Sequence, residues 1–218
     1  MSTNEKLAAT GIIGTIVYAI ADLFLFLGAD MYSEDKTQSF IAVPEWRLMA
    51  SMWIAALGSL LMLFGYVSLY RLYKDVFKKK GLILMLPALT CFGAVMYMHF
   101  VLGVYEPLTY ISAVKAGVEP DVAMKILSHA TSYISPLTAV LIILGYSTQI
   151  VLVYGLLSGR FGLKKRVAAY IYGGAVAIAL LFVLIARMTG EWGITGSLES
   201  LFEMTFFIPG LLYFRKAR

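Results

Sequence analysis

Three ionisable residues lie within long apolar stretches, where charged side chains are rare: Asp22, His99 and Glu203. A charge at the centre of a bilayer costs at least ~2.5–3.5 kcal/mol on the insertion scale, so such a residue tends to face a partner or a wet cavity. Histidine exchanges protons near neutral pH, and burial can bring a carboxylate into the same range. These residue types suit general acid–base chemistry, and we predict that the three form the catalytic centre of a site.

The positions of these residues along their apolar segments predict a shared depth in the membrane. Asp22 follows Leu7 by fifteen residues, or ~22 Å, and His99 follows Leu82 by seventeen, or ~25 Å, at 1.5 Å per residue. Glu203 lies five residues into a segment that enters from the opposite side, ~8 Å below that surface. All three fall in the outer leaflet, so we expect them to line an outward-facing polar pocket.

Three further charged residues flank this depth at the outer rim: Arg47, Glu106 and Arg187. We predict that they bind the substrate or ligand, with Arg187 placed to act as a counter-ion to Asp22 or Glu203. The alternative for every one of these residues is structural. Each would then pair with a neighbour to fix helix packing, or mark the solvated end of a helix.

The sequence predicts no metal site and no cofactor. It contains two histidines, His99 and His129, which are too far apart to share one helix turn, whereas a zinc site usually draws on three or four close ligands. No phosphate-binding glycine loop, haem attachment motif or Gly-x-Ser-x-Gly elbow occurs.

The net charge of +5 comes from short basic clusters beside apolar segments, a pattern typical of contact with anionic membrane lipids and not of nucleic-acid binding.

The elements that must position these residues are apolar helices. The chain of 218 residues is 60% hydrophobic and 14% charged, against about a quarter charged in soluble domains. Apolar runs near ~20 residues recur along it, and helices are the only spanning form consistent with continuous apolarity. We predict an all-α polytopic transmembrane helical bundle, a single domain over residues 1–218 with six spans at about 7–28, 47–73, 82–104, 134–157, 167–187 and 198–214.

Charge distribution predicts how the bundle is oriented. With both termini inside, thirteen of the eighteen lysines and arginines lie on the inner face, as the positive-inside rule requires. Ten of the thirteen acids lie on the outer side or in the outer part of the sixth span, among them Asp30, Glu34 and Asp35. We therefore predict a multi-pass protein with cytoplasmic N- and C-termini.

Local patterns predict further details of the helices. Pro44 followed by Glu45 indicates the start of the second span, and Pro120 after Glu119 indicates the start of a short helix on the outer membrane face. Pro136 would then open the fourth span. The glycines at 58, 173 and 174 allow close helix–helix contact.

An Asp in the first span, a Pro-x-Trp-Arg start to the second and a His late in the third resemble uncharacterised prokaryotic six-helix integral membrane proteins. The resemblance rests on these short motifs; it implies a location in the cell inner membrane and no particular activity.

We predict a membrane protein that binds a small molecule or lipid headgroup in its outward-facing pocket, where acid–base catalysis is one use that these residues would support. A permease-like transporter and a non-catalytic interaction subunit are the alternatives. The sequence does not decide between an enzyme and a binding protein, nor does it fix the oligomeric state.

Overall fold

A computed structural model describes residues 1–29 and 41–217, so Asp30, Glu34 and Asp35 lie outside the described residues. Helices are the only regular secondary structure within those two ranges. The α-helices are α1 (Thr3–Phe26), α2 (Glu45–Phe77), α3 (Gly81–Tyr97), α4 (Glu106–Lys115), α5 (Pro120–Leu157), α6 (Arg166–Thr189), α7 (Leu198–Phe202) and α8 (Met204–Lys216). Short 3₁₀ helices occupy Lys78–Lys80 and Trp192–Ser197, and a π-helix occupies Met98–Tyr105.

Helix α1 begins with a capping box. The Ser2 hydroxyl accepts a hydrogen bond from the Glu5 backbone N–H at 3.3 Å, and the Glu5 carboxylate accepts one from the Ser2 backbone N–H at 2.5 Å. This pairing satisfies two of the backbone donors that every helix start leaves free. Its 24 residues rise ~36 Å, more than the ~30 Å hydrocarbon core.

Helices α1 and α2 pack backbone against backbone through glycines. A Cβ on Gly14 would lie 2.5 Å from the backbone nitrogen of Met62, and a Cβ on Gly58 would lie 2.8 Å from that of Tyr18. Small residues permit such close approach, as the sequence predicts for Gly58. The prediction for Gly173 and Gly174 is wrong, because a Cβ at either position would meet nothing within 4 Å.

Helices α2 and α3 form a tight hairpin. The chain turns at Lys78, whose φ of 53° lies in the left-handed region, and Gly81 starts the return helix against Tyr73 and Lys74. The returning helix continues through the π-helix into α4, so it is longer than the predicted third span. Glu106, expected in a loop, is the first residue of α4.

Helix α5 is a single helix of 38 residues, ~57 Å long at 1.5 Å per residue. Glu119 and Pro120 do start it, as predicted, but the separate surface helix is wrong because the helix continues into the fourth span. Pro136 lies inside α5 and does not open a new helix. An interior proline removes one backbone hydrogen bond, a loss that helices in membrane proteins can accommodate through their neighbours.

The sixth predicted span is a broken helix in the structure. The five-residue helix α7 and the 13-residue helix α8 meet at Glu203, and the 3₁₀ turn before α7 packs on the end of α1. A Cβ on Gly193 would lie 2.0 Å from the carbonyl oxygen of Phe26, so this turn needs glycine. Residues 198–203 are thereby held against the C-terminal half of α1.

Several helical stretches are long and apolar enough to cross a membrane. By length and composition these are Thr3–Phe26, the continuous helical run Glu45–Lys115 and Arg166–Thr189 within the described residues. Of these stretches, helix α6 is the least buried inside the protein. Its large apolar side chains, such as Leu180, Leu184 and Met188, are exposed. The fold is all-helical, and the six spans and the position of the termini stay predictions.

Candidate functional site

Two of the three predicted central residues meet in the core. Asp22 of α1 and His99 of the π-helix are in direct contact, with 2.7 Å between the Asp22 Oδ1 and His99 Nδ1 atoms. The ring of Tyr18, one turn before Asp22, lies 4.9 Å from the imidazole ring, centroid to centroid. The Tyr18 hydroxyl donates to the Val95 carbonyl at 3.3 Å, which ties α1 to α3 beside the pair.

Two serines extend the pair into a network across four segments. The His99 Nε2 atom lies 3.0 Å from the Ser51 Oγ atom of α2, and the Ser51 hydroxyl also lies 2.8 Å from the Ala21 carbonyl oxygen. On the other side, the Ser200 hydroxyl of α7 donates to Asp22 Oδ2. We call Asp22, Ser51, His99 and Ser200 the polar network. The close α1–α2 packing explains how a serine side chain of one helix reaches the backbone of the other.

The polar network can hold its hydrogens in more than one way. Ser51 has one hydroxyl hydrogen and two acceptors within reach, the Ala21 carbonyl and His99 Nε2. If the hydrogen points to Nε2, then Nδ1–H donates to the Asp22 carboxylate and the ring is neutral. If it points to Ala21, then Nε2–H donates to Ser51, and the hydrogen between Nδ1 and Asp22 belongs either to a cationic ring or to a protonated Asp22 beside a neutral ring. The same contacts between heavy atoms accommodate each of these arrangements.

Glu203, the third predicted central residue, lies at the break between α7 and α8. Its Oε1 atom accepts from the Cys91 thiol at 3.7 Å. Its Oε2 atom and the Tyr66 hydroxyl are both buried and make no hydrogen bond within the described residues, although the two groups are close enough to interact. Glu203 also interacts electrostatically with Asp22 and Glu199. Glu203 is therefore close enough to Asp22 for the two carboxyl groups to interact, while the shared membrane depth of the three residues stays a prediction.

The three predicted rim residues lie on three different helices and have different surroundings. Arg47 donates to the carbonyl oxygens of Leu27 at 2.5 Å and Leu23 at 3.4 Å, and so caps the C-terminal end of α1, where a cation suits the helix dipole. Glu106 is buried and accepts from the Thr131 hydroxyl at 2.9 Å. Arg187 is exposed in the last turn of α6. The placements of Arg47 and Glu106 are those of helix-fixing residues, the structural alternative given above.

Reasoning from ionisable residues alone does not find Ser51 and Ser200. A signal for Ser51 is present in the sequence, because it follows the start of α2 at Glu45 by six residues, ~9 Å, close to the depth of Glu203. Ser200 precedes Glu203 by three residues, the spacing of neighbours on one helix face. Including hydroxyls in the depth comparison would have identified both.

The polar network is closed in this structure, and in this it differs from the predicted open pocket. Each of its four side chains is no more than 4% exposed. A cavity of about 370 Å³ lies elsewhere, between α6 on one side and α7 and α8 on the other, and its lining is apolar. Within the described residues no group of three or more His, Cys, Asp and Glu side chains is arranged to hold a metal ion.

Comparison with known proteins places the chain in one family. The model of a family of unknown function, DUF6796, matches residues 1–217, so the chain belongs to that family. No curated protein and no solved structure matches the chain. Any assignment of activity therefore depends on the chemistry of the polar network.

Proposed function

We propose that this member of DUF6796 is an integral membrane protein whose Asp22–His99 pair is an acid–base centre, exchanging a proton with a small polar molecule or lipid headgroup that reaches it from the outer side of the membrane. The observation that carries the proposal is the pair of contacts on the imidazole, 2.7 Å to Asp22 and 3.0 Å to Ser51. Because both ring nitrogens are engaged, a proton gained on one side of the ring is matched by rearrangement on the other.

Irregular backbone around the Asp22–His99 pair supports a functional role for the pair. His99 lies in a π-helix, while Ser200 and Glu203 lie at a broken helix. Single π-helical turns occur often at functional sites, and broken helices in membrane transporters form binding sites. A hydrogen bond that served only to hold two helices together would need neither irregularity.

The charges around the network favour a particular kind of ligand. Three carboxylates, Asp22, Glu199 and Glu203, interact electrostatically with one another, and His99 is the basic side chain in contact with Asp22. Such a group favours a ligand that carries a positive charge or donates hydrogen bonds over an anionic one. An amine or ammonium group, free or as a lipid headgroup, has this chemistry.

A ligand must displace part of the protein to reach the pair, and α7 is the element best suited to move. Its Ser200 side chain covers Asp22, and Glu199 beside it is exposed. A five-residue helix bounded by a 3₁₀ turn and a break makes fewer backbone hydrogen bonds than a full span, so its local opening costs less.

The test uses the fact that the chain has two histidines, of which His129 is exposed. In a His129→Gln variant labelled with ¹⁵N-histidine and held in lipid nanodiscs, NMR reports both ring nitrogens of His99 alone. We expect a one-proton titration of the ring and a strongly hydrogen-bonded Nδ1 signal. Asp22→Asn should weaken that hydrogen bond, whereas Glu106→Gln should leave it unchanged.

Ligand binding is tested in the same sample with ethanolamine and, as the control, inorganic phosphate. We expect ethanolamine to shift the His99 signals and phosphate to leave them unchanged, because the carboxylates attract the former and repel the latter. A ring that does not titrate while the protein stays folded, or that responds to neither or to phosphate alone, would contradict the proposal.

The order Ser51–His99–Asp22 favours a second candidate function, acyl transfer with Ser51 as the nucleophile. The contacts of Nε2 with a serine hydroxyl and of Nδ1 with a carboxylate are those of a Ser-His-Asp triad. Against this function, Ser51 is fully buried and its hydroxyl is shared with the Ala21 carbonyl. A fluorophosphonate probe decides: covalent labelling that Ser51→Ala abolishes and Ser200→Ala preserves would establish it, and no labelling would exclude it.

A further inference from the structure

The apolar cavity between α6 and the α7–α8 segment has the shape of a groove along the helices. On the α6 side it is lined at three- and four-residue intervals by Val167, Ile171, Gly174 and Ile178, one continuous face of the helix. The opposite wall runs from Leu198 and Leu201 of α7 to Ile208 and Leu212 of α8. The volume of about 370 Å³ is within the ~300–1,000 Å³ typical of small-molecule sites.

The groove offers a ligand almost no polar group. Two hydroxyl residues, Tyr170 and Thr205, lie in its wall, and Tyr170 is exposed. The Thr205 hydroxyl is already satisfied, since it donates to the Phe202 carbonyl at 2.6 Å and accepts from Gln149 Nε2 at 2.9 Å. An occupant therefore meets mainly hydrocarbon. The groove lies between segments of a protein that we treat as membrane-spanning, where acyl chains are the apolar species at hand.

The dimensions of the groove fit one leaflet. From Val167 to Ile178 the α6 wall rises ~17 Å at 1.5 Å per residue. Half of a ~30 Å hydrocarbon core is ~15 Å, the length that one lipid tail covers. The α6 wall is thus long enough for a tail that starts at the membrane surface beside Arg166 and ends near the midplane.

One end of the groove is strongly basic. Val167 directly follows Arg166, and on α8 the residues Arg215 and Lys216 come three and four positions after Leu212, on the same helix face. Lys164, Lys165, Arg166, Arg215 and Lys216 are all exposed, and Lys216 donates to the Gly162 carbonyl, which joins the two basic segments.

These cations do not stabilise the helix that they begin. Lys164, Lys165 and Arg166 are at the N-terminal end of α6, where the helix dipole disfavours positive charge. Their charge is complementary to the anionic headgroups that basic pockets between transmembrane helices bind.

We propose that the groove between α6 and the α7–α8 segment binds an anionic phospholipid, with one acyl chain along Val167–Ile178 and its phosphate at Arg166 and Arg215. This site is separate from the polar network and stands or falls independently of the acid–base function. The lipid belongs to the leaflet at the basic end of the bundle, whereas the proposed acid–base ligand arrives from the other side.

Native mass spectrometry of the full chain measures this binding with phosphatidylglycerol and with phosphatidylcholine of the same acyl chains. We expect wild type to retain phosphatidylglycerol in preference to phosphatidylcholine. Replacing Arg166 and Arg215 by glutamine should weaken phosphatidylglycerol binding about 25-fold, the product of about fivefold for each basic side chain near the surface. The same two replacements at Lys79 and Lys80, which are exposed on another part of the basic face, should change it little.

Two adjacent glycines provide a matched pair for the acyl-chain part of the site. Gly174 lines the groove and Gly173 does not, and a Cβ at either position meets nothing within 4 Å, so the backbone at both positions has room for a side chain. Gly174→Leu should abolish retention of both lipids, while Gly173→Leu should leave retention unchanged.

Three outcomes would overturn the proposal. The first is equal retention of the two lipids by wild type. The second is equal lipid binding by Gly173→Leu and Gly174→Leu. The third is a dimer that Gly174→Leu dissociates while lipid retention is unaffected, because the groove would then hold a second copy of the chain.

Discussion

At the scale of single residues, the polar network explains how ionisable groups are kept inside an apolar bundle. Asp22 accepts from His99 and Ser200, and each of these partners belongs to a different segment. A buried polar group that loses its partner carries its full desolvation penalty. Replacing any one member of the polar network should therefore lower the free energy of unfolding.

The two histidines give the sharpest test of this statement. His99→Ala should lower the free energy of unfolding in detergent by about 3–5 kcal/mol, the usual cost of leaving one member of a buried ion pair alone. His129→Ala should change it by less than about 0.5 kcal/mol, because His129 is exposed. Denaturant titration of both variants, followed by tryptophan fluorescence, measures the difference. Equal effects would mean that the Asp22–His99 contact adds no stability.

Replacing the carboxyl group by an amide should have opposite effects at Asp22 and Glu203. Glu203→Gln replaces a buried carboxyl group whose Oε2 atom lacks a hydrogen-bond partner within the described residues, so we expect the melting temperature to stay the same or rise. Asp22→Asn replaces one acceptor of the Ser200 and His99 hydrogen bonds by a donor, so we expect it to fall. Thermal unfolding of the two variants side by side checks the order, and a fall with Glu203→Gln would contradict it.

Sequence reasoning identified part of this site, and the physical reason is clear. Asp22, His99 and Glu203 stand out because ionisable side chains are rare in apolar segments, and helical rise converts their positions into depth. Ser51 and Ser200 do not stand out, because hydroxyls are common in membrane helices. The sequence predicts a ligand-binding role for Arg47, whereas in the structure Arg47 caps α1. Sequence position shows that a charge is near the end of a helix, but it does not show the direction of the side chain.

At the scale of helices, the glycine contact between α1 and α2 sets the distance between Asp22 and Ser51. Gly11 faces Gly65, and a Cβ on Gly11 would lie 2.4 Å from the Gly65 Cα atom. The same contact brings the Ser51 hydroxyl to the Ala21 carbonyl. Separating the two helices should therefore damage the polar network even when none of its members is changed.

A matched pair of alanine substitutions tests this dependence. Gly14→Ala should destabilise the protein by about 1–3 kcal/mol, the range for overpacking, and should disturb the His99 NMR signals as well. Gly173→Ala should be neutral or stabilising by up to about 1 kcal/mol, since alanine is the better helix former and the position is open. Unfolding curves and NMR spectra of both variants check it, and intact His99 signals in a destabilised Gly14→Ala protein would contradict the link.

Hydropathy predicts the all-helical class correctly, but it does not predict the irregularities within the helices. An apolar run shows where a helix can cross a membrane. It does not show whether the backbone hydrogen bonds follow the α-helical or the π-helical pattern. The π-helix at Met98–Tyr105 and the break at Glu203 were missed for this reason. The prediction that Pro136 starts a helix is wrong. Proline is common in the first turn of a helix, but Pro136 lies inside α5.

At the scale of the whole molecule, the charge pattern predicts which end of the bundle is cytoplasmic. In a Cys91→Ser background, Lys79→Cys should react with a membrane-impermeant maleimide only after cells are permeabilised, whereas Glu119→Cys should react in intact cells. Both positions are exposed, so a difference reports sidedness and not burial. The reverse pattern of labelling would overturn the predicted orientation.

The hydrogen bond between Ser200 and Asp22 joins residues 178 positions apart, almost the whole length of the chain. Biosynthesis proceeds from the N-terminus, so Asp22, Ser51 and His99 enter the membrane long before Ser200 is made. A nascent chain therefore carries a carboxyl group that lacks one of its final partners until the later segment that contains Ser200 supplies it. A chain shortened before residue 198 would keep its first five predicted membrane segments and still lack a finished centre, so synthesis of Leu198–Phe202 is a late step in assembling the site.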